Sequence, residues 1–230
     1  MTDVPPLQHR GVFVTGTDTG VGKTLMSAIL AKAWHADYWK PLQTGVADEP
    51  GDTLSVTLLA DLAPSRVHAP AVVLQAPLSP WAAAPLEGVR IDTDALTCPV
   101  TEAPLIVEGA GGLFVPIDDD MMMIDLIARL NLPVVLVARS GLGTINHTLL
   151  SLQALKAARI AIAGVVMNGP PSASNRLAIE RFGKVPVIAE VPALNSVDAA
   201  AVAAEAARMP SMAAVMQAMS HRTGAAGPLQ

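Results

Sequence analysis

Nine residues near the N-terminus constrain the fold of this chain more than any others: Gly16, Thr17, Asp18, Thr19, Gly20, Val21, Gly22, Lys23 and Thr24. They follow an apolar run at 11–15 (Gly-Val-Phe-Val-Thr) and open into 25–33 (Leu-Met-Ser-Ala-Ile-Leu-Ala-Lys-Ala), which reads as helix. A strand that turns through glycines into a helix, with Gly-Lys-Thr at the junction, is a phosphate-binding loop. Glycines let the backbone curl so that several N–H groups face one concave space, and the helix N-terminus adds positive potential there. Lys23 is placed to reach the β- and γ-phosphates of a nucleotide such as ATP, and the Thr24 hydroxyl to ligate Mg²⁺. Five residues, Thr17 to Val21, separate Gly16 from Gly22, one more than the usual gap.

A strand–loop–helix opening implies more strands and helices behind it, and the composition can supply their core. Half of the 230 residues are apolar and 15% are charged, so one domain can bury a large interior. Aromatic residues make up only 3%, leaving Ala, Val, Leu and Ile to fill it. A formal net charge of −5 with no basic run speaks against nucleic-acid or membrane surfaces as partners. Cys98 stands alone and cannot form an intramolecular disulfide, which fits a reducing cytoplasm. The N-terminus has no signal-peptide pattern, and no apolar run is long enough to span a bilayer.

Buried-looking strands are expected at 11–16, 37–40, 104–108, 133–138, 160–167 and 186–190. Helices are expected at 23–35, 52–62, 121–131, 146–158 and 173–182, with a weak one at 91–97 and one at 196–219 that Pro210 interrupts. The Pro/Ala-rich stretch 63–88 reads as loops around one short apolar run at 71–74. Alternation of this kind predicts an α/β fold, a mostly parallel sheet with helices on both faces. Residues 11–220 form the expected domain, with loose tails at 1–10 and 221–230.

Three strand ends carry chemistry-bearing residues. Lys40 precedes Pro-Leu-Gln-Thr-Gly, at the strand end where open α/β sheets place ligands. Glu108 follows Leu-Ile-Val directly, where a carboxylate is expensive to bury without a compensating charge. A Mg²⁺ ion on Thr24 would supply that charge, either directly or through a bound water. Asn168 ends the strand at 160–167. Asp52 is either a helix cap or a further metal ligand. Asp118 to Asp120 read as solvated acids before a helix rather than a metal cluster. His35, His68 and His147 read as structural or isolated, and Ser27, Ser140 and Cys98 lie in no nucleophile setting.

Four segments in order resemble the dethiobiotin synthetase family: Val-Thr-Gly-Thr-Asp-Thr-Gly-Val-Gly-Lys-Thr (14–24), Lys-Pro-Leu-Gln-Thr-Gly (40–45), Val-Glu-Gly-Ala-Gly-Gly-Leu (107–113) and Gly-Thr-Ile-Asn-His-Thr (143–148). The long gap in the phosphate loop is a feature of that family, and the resemblance covers about residues 11–195. It implies an ATP- and Mg²⁺-dependent cyclo-ligase that takes 7,8-diaminopelargonate and CO₂ (or bicarbonate) to a cyclic urea through a carbamate. Lys23 and Lys40 would then act on the transferred phosphate and the carbamate, while Thr24, Asp52 and Glu108 would surround the metal. Thr44, Gly111 and Gly112 would meet the substrate. The family is homodimeric, so Leu142, Gly143 and Asn146 would bind the distal carboxylate in the partner's site. Asn168 with Val191, Pro192, Ala193 and Leu194 would line the adenine pocket.

The resemblance has departures. Many members carry Glu where this loop has Gly20, and Trp81 stands where some relatives have His, which leaves nucleotide preference open. The competing expectation is a ParA/MinD-like partitioning ATPase switch acting through a protein partner. Those proteins place a signature Lys where this chain has Asp18.

Overall fold

All six residues of β1 (Gly11–Gly16) are buried, a pattern open only to a strand covered on both faces. The computed structural model describes residues 11–47 and 50–225. After β1 come α1 (Lys23–Ala33), β2 (Asp37–Trp39), β3 (Leu42–Gln43), α2 (Gly51–Ala60), β4 (Val67–His68), β5 (Val72–Val73) and α3 (Pro80–Leu86). The second half alternates regularly: β6 (Leu105–Gly112), α4 (Met123–Leu130), β7 (Val134–Arg139), α5 (Thr144–Ala157), β8 (Ile162–Asn168), α6 (Ala173–Gly183) and β9 (Val187–Val191). Two helices, α7 (Ala199–Ala206) and α8 (Met212–Ala225), close the described chain.

Seven strands form one sheet in the order β4-β2-β6-β1-β7-β8-β9, with every pairing parallel. Strand parity divides the core in two. Phe13, Val107, Leu136 and Val165 face one side, where Leu126, Ile127, Leu152 and Ile179 cover them. Val12, Val14, Ile106, Val135 and Val166 face the other, under Met26, Ile29, Val56, Val202 and Val215. The chain therefore has the expected α/β architecture, and its strands end together where β1 feeds the phosphate loop.

The Pro/Ala-rich stretch is more ordered than its composition predicts. It supplies β4 to the main sheet and pairs β5 with β3 in a separate two-stranded parallel sheet. It also forms α3, where Pro80 starts the helix at a first-turn position that needs no N–H and the Ser79 hydroxyl accepts from Ala82 N. At 91–97 only a 3₁₀ turn, Thr93–Ala95, forms. β6 runs four residues beyond Glu108, since Gly109–Gly112 continue its pairing as far as Gly16. Pro210 separates α7 from α8, and its carbonyl accepts from Trp34 Nε1 at 2.9 Å. α8 continues to Ala225, into the stretch expected as a loose tail, and Arg222 donates to the Ile162 and Ala163 carbonyls. The expected tail at 1–10 lies outside the described residues, as do 226–230.

Candidate active site

The phosphate loop is held from three sides. Thr17 N donates to the Val137 carbonyl, and Asn168 Nδ2 donates to the Val21 carbonyl at 2.9 Å. Arg139 Nη2 pairs with Asp18 Oδ2 at 2.7 Å, tying the end of β7 to the loop. Gly22, the N-cap of α1, has φ 96°, and a Cβ there would clash with the Asn168 amide. No other residue fits both constraints. Val21 turns inward and is fully buried in the α1-side core, so its side chain anchors the loop. Lys23 Nζ donates back to the Asp18 carbonyl at 3.1 Å.

Beside the loop, four side chains from four elements converge. Lys40, just past β2, is 3% exposed, and Glu108, from the middle of β6, is 1% exposed. Lys40 Nζ lies 2.9 Å from Asp52 Oδ2 and 3.2 Å from Glu108 Oε1. Thr24 Oγ1 lies 2.5 Å from Asp52 Oδ1 and 3.2 Å from Glu108 Oε1. Asp52 does not cap α2. It sits in the first turn, and Gln43 Oε1 performs the cap by accepting from Asp52 N at 2.9 Å. The remaining Glu108 oxygen, Oε2, accepts from the buried Tyr38 hydroxyl at 3.0 Å.

Charge follows from this geometry. Burial opposes ionisation of Lys40, but Glu108 and Asp52 outweigh it and hold its pKa above the ordinary value. Burial likewise opposes the Asp52 carboxylate, yet Lys40, the Thr24 hydroxyl and Lys23 hold its pKa below the usual range. For Lys23, burial prevails over Glu108 and, with the nearby Lys40 charge adding to it, leaves the pKa lowered. Burial and then the two carboxylates push the Tyr38 phenol well up, so it acts as a donor.

These groups open into a cavity of about 790 Å³. Of the loop, Thr19, Gly20, Gly22, Lys23 and Thr24 line it, together with Lys40, Thr44, Asp52, Glu108 and Gly111. Gly112, Leu142, Gly143 and Asn146 are not part of this wall, nor are Asn168, Val191, Pro192, Ala193 and Leu194. Leu142 is fully exposed at the start of the α5 loop, whereas Asn168 and Val191 pair at adjacent strand ends behind Gly22. Pro77 to Pro80 form the facing wall, which makes the Pro/Ala-rich stretch part of the site. Asp118 and Asp119 are spent locally, accepting from Asp120 N and Met121 N and from Trp81 Nε1 respectively.

Sequence reasoning missed Tyr38, Gln43, Arg139 and the Pro77–Pro80 wall. A signal existed for Tyr38, which lies two residues before Lys40 on one strand and therefore shares its face. Arg139 and Gln43 gave none: Arg139 reaches a distant loop, and Gln43 caps α2 from β3.

Thr24, Asp52 and Glu108 offer only oxygen donors, two of them on carboxylates. Among the described residues, no three His, Cys, Asp or Glu side chains gather into a metal cage. Two carboxylates and a hydroxyl beside a phosphate site are what Mg²⁺ uses, its other positions going to water and phosphate oxygens. The residues present fit that ion.

A family model described as an AAA domain matches residues 10–201. The chain is 62% identical over 213 residues to the biotin biosynthesis bifunctional protein BioCD of Bordetella avium (strain 197N), covering 93% of this chain and 46% of that one. It thus spans about half the length of that relative. It is 59% identical over 194 residues to the ATP-dependent dethiobiotin synthetase BioD of Paramagnetospirillum magneticum (strain ATCC 700264 / AMB-1), covering 84% of this chain and 93% of the relative. The synthetase BioD of Rhodopseudomonas palustris (strain HaA2) is 46% identical over 195 residues, with 85% and 91% covered. A ParA family ATPase from Chlorobium tepidum TLS superposes with a TM-score of 0.50 at 12% identity, over 86% of this chain and 98% of that one. That likeness is one of fold alone. With a relative 59% identical along 93% of its length, and with the phosphate loop, Lys40 and Glu108 converging on one cavity, the chain belongs to the ATP-dependent dethiobiotin synthetase family.

Proposed function

We propose that this chain is an ATP- and Mg²⁺-dependent cyclo-ligase that converts 7,8-diaminopelargonate and CO₂ to the cyclic urea of dethiobiotin. The observation that carries the reading is Lys40, a buried lysine whose charge is maintained at the wall of a phosphate-loop cavity. One amine of the substrate takes up CO₂ as a carbamate. A carbamate oxygen attacks the γ-phosphorus and ADP leaves, giving a carbamic–phosphoric anhydride. The second amine then attacks the carbonyl carbon, phosphate departs, and the ring closes.

Such chemistry asks for positioning and charge neutralisation rather than a protein nucleophile. Lys23 and the loop amides would hold the β- and γ-phosphates. Lys40 would lie between the carbamate and the transferred phosphoryl group, stabilising both anions. Thr24, Asp52 and Glu108 would hold Mg²⁺, which when bound neutralises phosphate charge. Thr44 and Gly111 would meet the diamine, and the Pro77–Pro80 wall would limit water. Asn168 and the stretch from Val191 to Leu194 would take the adenine, behind the loop rather than within the main cavity.

The same reading assigns a homodimer. Leu142, Gly143 and Asn146 lie outside the wall of their own cavity, which suits a role in the partner's site. The test is ADP release with Mg-ATP and bicarbonate, with and without the diamine, on the wild type and Lys40→Ala. We expect release that depends on the diamine and is abolished in the variant. Diamine-independent hydrolysis would overturn the reading in favour of a partitioning-type switch.

A further inference from the structure

The two oxygens of the Glu108 carboxylate have partners on opposite sides. Oε1 accepts from Lys40 Nζ at 3.2 Å and lies 3.2 Å from Thr24 Oγ1, and so faces the cavity. Oε2 faces the sheet and accepts from the Tyr38 hydroxyl at 3.0 Å. The strands dictate this division. β2 and β6 run parallel with Tyr38 opposite Ile106, so Glu108 lies two residues further along the same face. A phenol reaches that diagonal neighbour, as long and aromatic side chains do. Lys40, two residues past Tyr38, reaches the same carboxylate from the cavity side. The Tyr38 ring is fully buried and packs in the α1-side core, so its hydroxyl has one place to be.

The consequence concerns metal geometry. The last torsion of a glutamate is broad and two-fold, and nothing intrinsic distinguishes its two oxygens. A fixed donor on Oε2 removes that equivalence and leaves a single oxygen presented to the Thr24 hydroxyl. Small, strictly octahedral Mg²⁺ suits one-oxygen carboxylate ligation, whereas larger Ca²⁺ accepts two-oxygen ligation. We propose that Tyr38 is a positioning residue of the metal site, fixing Glu108 so that it offers one oxygen and thereby favouring Mg²⁺ over larger cations. The inference rests on the reading of Thr24, Asp52 and Glu108 as the metal ligands.

Tyr38→Phe keeps the ring and its packing and deletes only the donor. Partners that orient metal ligands are generally worth 10- to 100-fold in metal affinity. We therefore expect Tyr38→Phe to weaken Mg²⁺ binding to the ADP-bound enzyme about tenfold, with a smaller loss for Ca²⁺. Ile179→Val, a core change on α6, serves as the control for general loosening and should leave both affinities alone. If Glu108→Gln weakens Mg²⁺ binding while Tyr38→Phe does not, or if Ile179→Val matches Tyr38→Phe, Tyr38 is only a core residue and the inference fails. If neither Glu108→Gln nor Asp52→Asn alters Mg²⁺ binding, the metal-site reading fails and takes the inference with it. A second measurement needs no substitution, because Tyr38 is the chain's single tyrosine. Wild-type protein labelled with 3-fluorotyrosine should give one ¹⁹F resonance that shifts when Mg²⁺ is added to the ADP complex. A resonance that stays fixed while Mg²⁺ binds would overturn the proposal, even if Tyr38→Phe failed to fold.

Discussion

Lys23 and Lys40 share a cavity and titrate in opposite directions. Lys40 has its pKa above the ordinary 10.5, so it contributes stability that is complete below 10.5 and lost as pH rises through its folded value. Asp52 lies below its ordinary 3.8, so its contribution is present above 3.8 and lost as pH falls through its folded value. The pair therefore stabilises the fold across the whole range between. Lys23, depressed below 10.5, does the reverse, and holding it charged costs stability that is relieved as pH rises towards 10.5. Removing one member of a buried pair leaves an uncompensated charge. Lys40→Ala should lower unfolding stability by about 3 kcal/mol near neutral pH without Mg²⁺, since Glu108 and Asp52 then face each other. Lys23→Ala should change it by less than about 1 kcal/mol, because among the described residues its side chain donates to a carbonyl of its own loop. Urea denaturation of both variants separates the two roles. Equal losses would mean that Lys40 is not the compensating charge.

At the level of elements, the junction of β1, the loop and α1 works only because β8 supports it. Asn168, at the end of β8, donates to the Val21 carbonyl and packs so close to Gly22 that no side chain fits. With φ 96° at Gly22 as well, Gly22→Ala meets a steric and a conformational penalty together. We expect a loss of about 1–3 kcal/mol in stability and of ADP binding beyond detection, measured by thermal unfolding and calorimetric titration. Asn168→Ala in the Gly22→Ala background relieves the clash and should recover part of the stability. No recovery would show that the backbone conformation alone sets the requirement for glycine.

For the whole molecule, the open question is whether one chain completes a site. If Asn146 serves the partner's cavity, Lys40→Ala and Asn146→Ala disable different chains of one site. Mixed and allowed to exchange, the two inactive variants should recover about a quarter of wild-type activity, because half the dimers are mixed and each has one intact site. Absence of recovery, with exchange verified by mass, would place Asn146 in its own chain's site. Among the described residues no helix is long and apolar enough to cross a membrane.

Local pattern carried the architecture far. The short apolar run 105–107, ending in Glu108, and the continuous one at 133–138 read as buried strands, and Gly-Thr-Asp-Thr-Gly-Val-Gly-Lys-Thr reads as a turn into a helix. Lys40, Asp52, Glu108 and Thr24 were also legible as candidates, since strand ends and helix starts are visible in one dimension. What stayed hidden depends on register and on long-range pairing. Residues 109–112 (Gly-Ala-Gly-Gly) look like a turn because glycine has no strand propensity, yet β1 keeps pairing with β6 as far as Gly112, across a bulge between Val14 and Gly16. The segment 63–88 looks unstructured because Pro and Ala lack periodicity, yet a single cap at Ser79 and pairing with β3 order it. The division of the Glu108 carboxylate between Tyr38 and the cavity, like the Gln43 cap on α2, arises where separate elements meet. Propensity is a property of neighbours along the chain, whereas the orientation of a carboxylate depends on neighbours in space.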